Sequence, residues 1–185
     1  MPSSLTPLAV AVLALLVERP LHPYEMHQTL LARRTDQVVK VRPGSLYHAV
    51  DRLHRDGLLR AVGTGRAGNR PERTTYEITG PGRSALAETL AAMIAAPVNE
   101  YPRFPLAVAE AHQLPRETVT GLLRDRRTRL AAELDALRAG VERVQEKGLP
   151  ARYWIDLTYR IALYETESAW IASFVEGIES GDIPW

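Results

Sequence analysis

A mainly α-helical chain with one small β-hairpin is what this sequence predicts, on three observations. Apolar residues recur at helical spacing through most of the 185 residues. Helix-start signals precede those runs: Thr6-Pro7, Pro23, Pro43-Gly44, and Thr79 with Pro81. A single stretch, residues 58–79, changes period, with β-branched and aromatic residues on either side of a glycine-rich middle.

In chain order, Pro7 to Glu18 is almost wholly apolar and long enough for three turns, which makes it the core helix of a front domain, with Thr6 as its N-cap. Arg19, Pro20, Leu21 and His22 break it. Pro23 starts a short second helix whose stripe is Met26, Leu30 and Leu31. The β-branched, basic segment Thr35 to Arg42 leads to a third helix, opened by Pro43-Gly44 and closed by Gly57, where a left-handed residue is wanted. At about 100° per residue, Leu46, Val50 and Leu53 share one side of it, and Ser45, His48, Arg52 and Arg55 the other. The first side packs; the second, short polar, imidazole and guanidinium, suits base edges and phosphates.

Leu58 to Val62 and Thr74 to Thr79 read as the two strands of a hairpin, with Gly63, Gly65, Gly68, Asn69 and Pro71 as its loop and Arg66, Arg70 and Arg73 as a basic tip. Three short helices followed by a basic hairpin is the order of a winged helix-turn-helix, in which the third helix enters the major groove and the hairpin reaches the adjacent backbone or minor groove. Charge agrees with that. The whole chain is only +1, but residues 1–80 hold 11 Lys/Arg against 7 Asp/Glu, and residues 31–73 hold 10 against 4. Lys40 and Arg42, just ahead of the third helix, belong to this footprint.

The motifs carry a family resemblance. Pro43-Gly44-Ser45-Leu46-Tyr47, Ala49-Val50-Asp51-Arg52-Leu53 and Asp56-Gly57-Leu58-Leu59 resemble the recognition-helix signature of the PadR family of transcriptional regulators. Gly68 to Thr79 is similar to that family's wing, and His22-Pro23-Tyr24-Glu25 to its second-helix opening, with Pro23 where the family usually has Gly. The match covers roughly residues 5–86. It implies a dimeric DNA-binding repressor, usually released from its operator by a small molecule. By resemblance Ser45, Tyr47 and His48 hold DNA-contacting positions, Tyr47 on a phosphate; Arg52 is added by the helical wheel.

In the back half, an Ala/Leu-rich helix runs from Thr79 to Ala96. Pro97, Pro102 and Pro105, with Tyr101 and Phe104 between them, then suggest a short packed linker. From Pro115 to Lys147, Leu123, Leu130, Leu137 and Val144 repeat every seven residues with Leu134 and Val141 between, leaving Arg127 at the vacant position of a coiled-coil-like seam. Gly140 weakens that helix locally, so a bend is expected there. The last helix, Ala151 to Glu179, is apolar on two sides: Leu157, Ile161, Tyr164, Ile171, Val175 and Ile178 on one, Tyr159, Leu163, Trp170 and Phe174 on the other. One side serves the preceding helix; the second is read as a dimer face. The tract Leu122 to Arg126 and Ala169-Trp170-Ile171 look like the extended C-terminal domain of longer PadR-type regulators.

The expected division is therefore 1–80 as the DNA-binding domain, 81–114 as connecting helix and linker, and 115–185 as a helical dimerisation and effector domain. Tyr101, Tyr153 and Trp154 are candidates for lining a site for a small aromatic or hydrophobic effector. No metal, cofactor or enzymatic activity is expected. Cysteine is absent, no phosphate-binding, dinucleotide or His-Glu-x-x-His motif occurs, and the five histidines are scattered. The apolar run Leu8 to Val17 has no basic leader and is too short to span a bilayer, so no membrane is expected and the location reads as cytoplasmic. The competing reading is a winged helix used only for protein contacts; such a module has little need for the concentrated front charge.

Overall fold

The computed structural model describes residues 5–65 and 73–185. The chain forms two compact units, Met1–Asn99 and Glu100–Trp185. The order in the first is α1 (Pro7–Glu18), α2 (Pro23–Ala32), a 3₁₀ turn at Thr35–Gln37, α3 (Pro43–Arg55), β1 (Leu59–Gly65), β2 (Arg73–Ile78) and α4 (Gly80–Ala95). Helix α1 has the bounds expected of it, and Thr6 caps it by accepting from the Ala9 amide. Its Val12, Leu13 and Leu16 are buried in one core with Met26 and Leu30 of α2, Leu46, Val50 and Leu53 of α3, Leu59 and Ile78 of the hairpin, and Leu86 of α4.

Three local devices fix α3 and the hairpin. Helix α3 ends in a left-handed glycine, Gly57 at φ 73°, and its last carbonyls are satisfied by the Gly57 amide on His54 and the Leu58 amide on Leu53. The residues expected only to break α1 do more than that: Leu21 exchanges two 3.0 Å backbone bonds with Tyr76, adding a single antiparallel bridge beside β2. The strands also run further than expected, because Gly63, Thr64 and Gly65 pair with Thr75, Thr74 and Arg73 after a bulge between Ala61 and Gly63. A ladder needs only backbone groups, so two glycines read as loop lie in the strand. Thr79 ties the hairpin to α4: its hydroxyl accepts from the Gly82 amide and lies 2.8 Å from the Gly57 carbonyl, to which it donates.

The second unit holds α5 (Arg103–Ala109), a 3₁₀ turn at Ala111–Gln113, α6 (Arg116–Glu146), a 3₁₀ turn at Ala151–Tyr153, and α7 (Ile155–Ser180). The seam of α6 is as the heptads predict, with Leu123, Leu130, Leu134 and Leu137 buried and Arg127 exposed. It packs along α7, whose Ile171, Val175 and Ile178 are buried. Helix α6 is continuous through Gly140. The proline-punctuated stretch differs from the packed linker expected. It contains α5, because Pro102 and Pro105 sit at the N-cap and in the first turn, where a missing amide costs nothing. Phe104 packs on the second core, whereas Tyr101 is 84% exposed, with a left-handed backbone at φ 49°.

Candidate nucleic-acid interface

Helix α3 divides as the wheel requires. Leu46, Ala49, Val50 and Leu53 are buried, and Ser45, Tyr47, His48, Asp51, Arg52 and Arg55 are exposed. An apolar stripe this narrow pins the helix by one side and leaves a contiguous polar side, Ser45–His48–Arg52–Arg55, facing away from the core. The N-terminus of α3 has no side-chain cap, since Arg42 at the N-cap makes no such bond and Pro43 takes the first position. The first-turn amides are therefore available to an anion, as the helix dipole also favours. Lys40 and Arg42 lead into that end, are exposed, and form no ion pair among the described residues.

Each flank of α3 is set by a specific neighbour. On one side Arg52 reaches toward the start of α1, its Nη2 3.4 Å from Thr6 Oγ1, a long contact that leaves the guanidinium exposed. On the other, His54 meets the hairpin: Nδ1 lies 3.1 Å from the Leu59 carbonyl oxygen and the ring stands edge-on to Tyr76 at 5.5 Å. Burial, and after it the Asp51 carboxylate, pushes the Tyr76 phenol above its ordinary value, so it stays protonated at neutral pH. Part of the front charge is already committed: Arg33 pairs with Glu18, and Arg60 with Glu77 across the strands. Arg34, Lys40, Arg42, Arg52 and Arg55 form no ion pair among the described residues. Arg66 and Arg70 lie outside the described residues; Arg73 is paired through its backbone with Gly65 at the far end of β2.

Two exposed groups were not singled out as contacts by the sequence reading. Tyr24, 55% exposed in the first turn of α2, was read only as part of a helix opening. Arg55 appeared on the wheel, and its lack of an acidic partner emerges only from the fold. In the second unit Tyr159, Leu163 and Trp170 are 65%, 48% and 45% exposed along one side of α7. Phe174, grouped with them, instead packs against its own core and stacks on Trp170 at 5.0 Å between ring centres. The stripe tilts inward at that turn because the chain end folds back, with the Trp185 indole donating to the Leu114 carbonyl and its ring meeting Phe174. None of the three aromatics proposed around a ligand lines the cleft found in this unit. Tyr101 and Tyr153 are exposed, and Trp154 donates to the Leu149 carbonyl in the turn before α7. A cleft of about 440 Å³ exists in this unit, but Phe104, Tyr164 and Phe174 supply its aromatic walls.

Three helices, a pinned and outward-facing third helix, and an antiparallel hairpin define a winged helix-turn-helix protein. Residues 12–88 match the model of the transcriptional regulator PadR-like family. Its members are transcription regulators, not enzymes. Among solved structures, Bacillus subtilis PadR in complex with operator DNA is 21% identical with a TM-score of 0.77, over 92% of this chain and 97% of that one. The same protein in complex with p-coumaric acid is 20% identical with a TM-score of 0.76, over 93% and 98%. A PadR-like transcriptional regulator from Bacillus cereus is 20% identical with a TM-score of 0.66, over 94% and 99%. At these identities the likeness shows the fold. No curated protein sequence matches the chain.

Proposed function

We propose that this chain is a PadR-like transcriptional regulator, a homodimeric repressor that holds a palindromic double-stranded DNA operator through α3 and the wing, and that a small aromatic or hydrophobic effector releases it. The observation that carries the reading is α3 itself: buried on one side, uncapped at its N-terminus, approached by Lys40 and Arg42, and presenting Ser45, Tyr47 and His48 within its first two turns. Those are the positions from which a recognition helix meets base edges, while Arg52 and Arg55, a further turn or two along, suit the flanking phosphates. Asp51 carries an exposed carboxylate on the same outward side, repelled by phosphate and suited to accept from a cytosine amine. Tyr24, at the start of the helix that crosses the backbone in such folds, joins Tyr47 as a phosphate contact. Arg66, Arg70 and Arg73 are assigned to the wing by sequence.

One such helix covers too few base pairs to select a site in a genome, so two copies are required. Tyr159, Leu163 and Trp170 supply an exposed apolar stripe on α7 for the second copy, with Phe174 beneath it. The division of labour is 1–80 for DNA, 81–114 for connection, with residues 100–114 also folded into the second unit, and 115–185 for dimerisation and effector response. A genomic operator as partner places the protein in the cytoplasm, and no described helix is long and apolar enough to cross a membrane. That the Bacillus subtilis relative has been crystallised with operator DNA and with p-coumaric acid supports both halves of the reading. Sedimentation of the protein alone and footprinting on its upstream DNA test it. A dimer protecting two half-sites about one helical turn apart is expected; a monomer, or uniform protection, would overturn it.

A further inference from the structure

The cleft of the second unit has a lining that specifies a charge as well as a size. Its volume, about 440 Å³, falls in the range of about 300–1,000 Å³ used by small-molecule sites. Eleven of its sixteen lining residues are apolar or aromatic, contributed by α5, α6, α7 and the turn after α5. The five charged ones are three carboxylates and two guanidiniums. Arg126 is already satisfied twice: it pairs with Glu167, and its guanidinium lies 3.7 Å from the centre of the Phe104 ring. That leaves Asp125, Arg129 and Glu133, one turn apart along α6, none of them in an ion pair among the described residues. An anion entering here would meet one guanidinium flanked by two carboxylates. A cation would meet the same three groups, whose net charge is −1, and the rings of Tyr164 and Phe174, whose π-faces also attract positive charge.

We propose that this cleft is a binding site for a lipophilic organic cation, an aromatic or bulky apolar body carrying one delocalised or quaternary positive charge. Binding itself does not depend on the DNA-binding reading; the cleft's role in operator release rests on it. The cation's body replaces water against Phe104, Val119, Leu123 and Phe174, and its charge lies toward Asp125 and Glu133 at the rim. Arg126 acts as a positioning residue, because its bridge from Glu167 to Phe104 holds α5 over α6 and α7 and keeps the wall in place.

Tetraphenylphosphonium and tetraphenylborate have the same shape and opposite charge, so calorimetric titration of the full chain with each isolates the charge preference. The phosphonium is expected to bind at one site per chain and more tightly than the borate. Asp125→Asn and Glu133→Gln, both on the solvent side of α6, should each weaken the phosphonium by roughly two- to fivefold, as exposed ion pairs do, without weakening the borate. Ala107→Trp, which fills the cleft from an exposed position, should abolish phosphonium binding. Preference for the borate, unchanged phosphonium affinity in the double carboxamide variant, or full binding to Ala107→Trp would each overturn the proposal. DNA binding measured on the same samples separates the two readings. Phosphonium binding without any DNA affinity would sink the regulator reading and leave the site standing.

Discussion

Gly82→Ala gives the sharpest test of how the front unit is assembled. Gly82 is buried in the first turn of α4, where the helix leaves the hairpin. A Cβ placed on it would lie 2.2 Å from the Leu58 carbonyl oxygen and 2.9 Å from Cγ1 of Ile78. The first contact is more than 1 Å inside van der Waals separation, and it is with backbone, which cannot swing aside. The same Leu58 carbonyl accepts from the Thr79 amide at 3.1 Å and lies 3.0 Å from its hydroxyl, so moving α4 away breaks bonds that hold the hairpin. Overpacking typically costs about 1–3 kcal/mol and each lost hydrogen bond about 1 kcal/mol, while Ala returns about 1 kcal/mol of helix propensity. The net expectation is a loss of about 3 kcal/mol. For a unit of this size that lowers the melting temperature by roughly 12–24 °C. Gly80→Ala, where an added methyl meets nothing within 4 Å, is the control. Urea unfolding followed by circular dichroism reads both variants. A Gly82→Ala loss below about 1 kcal/mol would refute the close approach of α4 and Leu58.

Three other outcomes follow from the same geometry. Thr79→Ala removes the α4 N-cap and the bond to Gly57, and should cost about 1–2 kcal/mol in urea unfolding; Thr79→Ser should recover most of it. Ile171→Ala, at a fully buried position of α7, should cost about 2–5 kcal/mol in the second unit, whereas Tyr159→Ala should cost little there and appear instead as weakened dimerisation by sedimentation. The Arg33 guanidinium bonded to Glu18, opposed by partial burial, holds that carboxyl below its ordinary value. A depressed acid stabilises the fold above its unfolded pKa and loses that contribution as pH falls through the folded one. Glu18→Gln should therefore flatten the acid limb of the stability curve slightly, by less than about 1 kcal/mol for a pair so exposed.

Much of this was legible in the sequence because it is local. Thr6-Pro7 and a run of apolar residues fix α1; Pro43, Gly57 and a narrow stripe fix α3 and the side it presents. The α6 heptads give its seam with α7 because one periodic element writes the pattern alone. What escaped depends on contacts distant in sequence. The Leu21–Tyr76 bridge joins residues 55 apart through backbone groups, which leave no mark in side-chain pattern. Helix α5 hides among prolines that usually break helices, and without it Phe104 could not be placed over Arg126. The cleft followed from neither composition nor period, since its walls come from separate elements. Aromatic residues drew attention to Tyr153 and Trp154, which the fold uses in a turn. Phe174 was read on the outer stripe for want of the C-terminal Trp185 that folds back onto it.

The most direct test of the central claim is binding to DNA from the protein's own upstream region, titrated with salt, beside His48→Ala and Arg55→Ala. With three or four phosphate contacts per protomer, the slope of log affinity against log salt should be roughly −6. His48→Ala should lose sequence selectivity while keeping that slope, and Arg55→Ala should weaken all sequences alike and make the slope shallower. A slope near zero, with both variants binding as the parent does, would contradict recognition through α3.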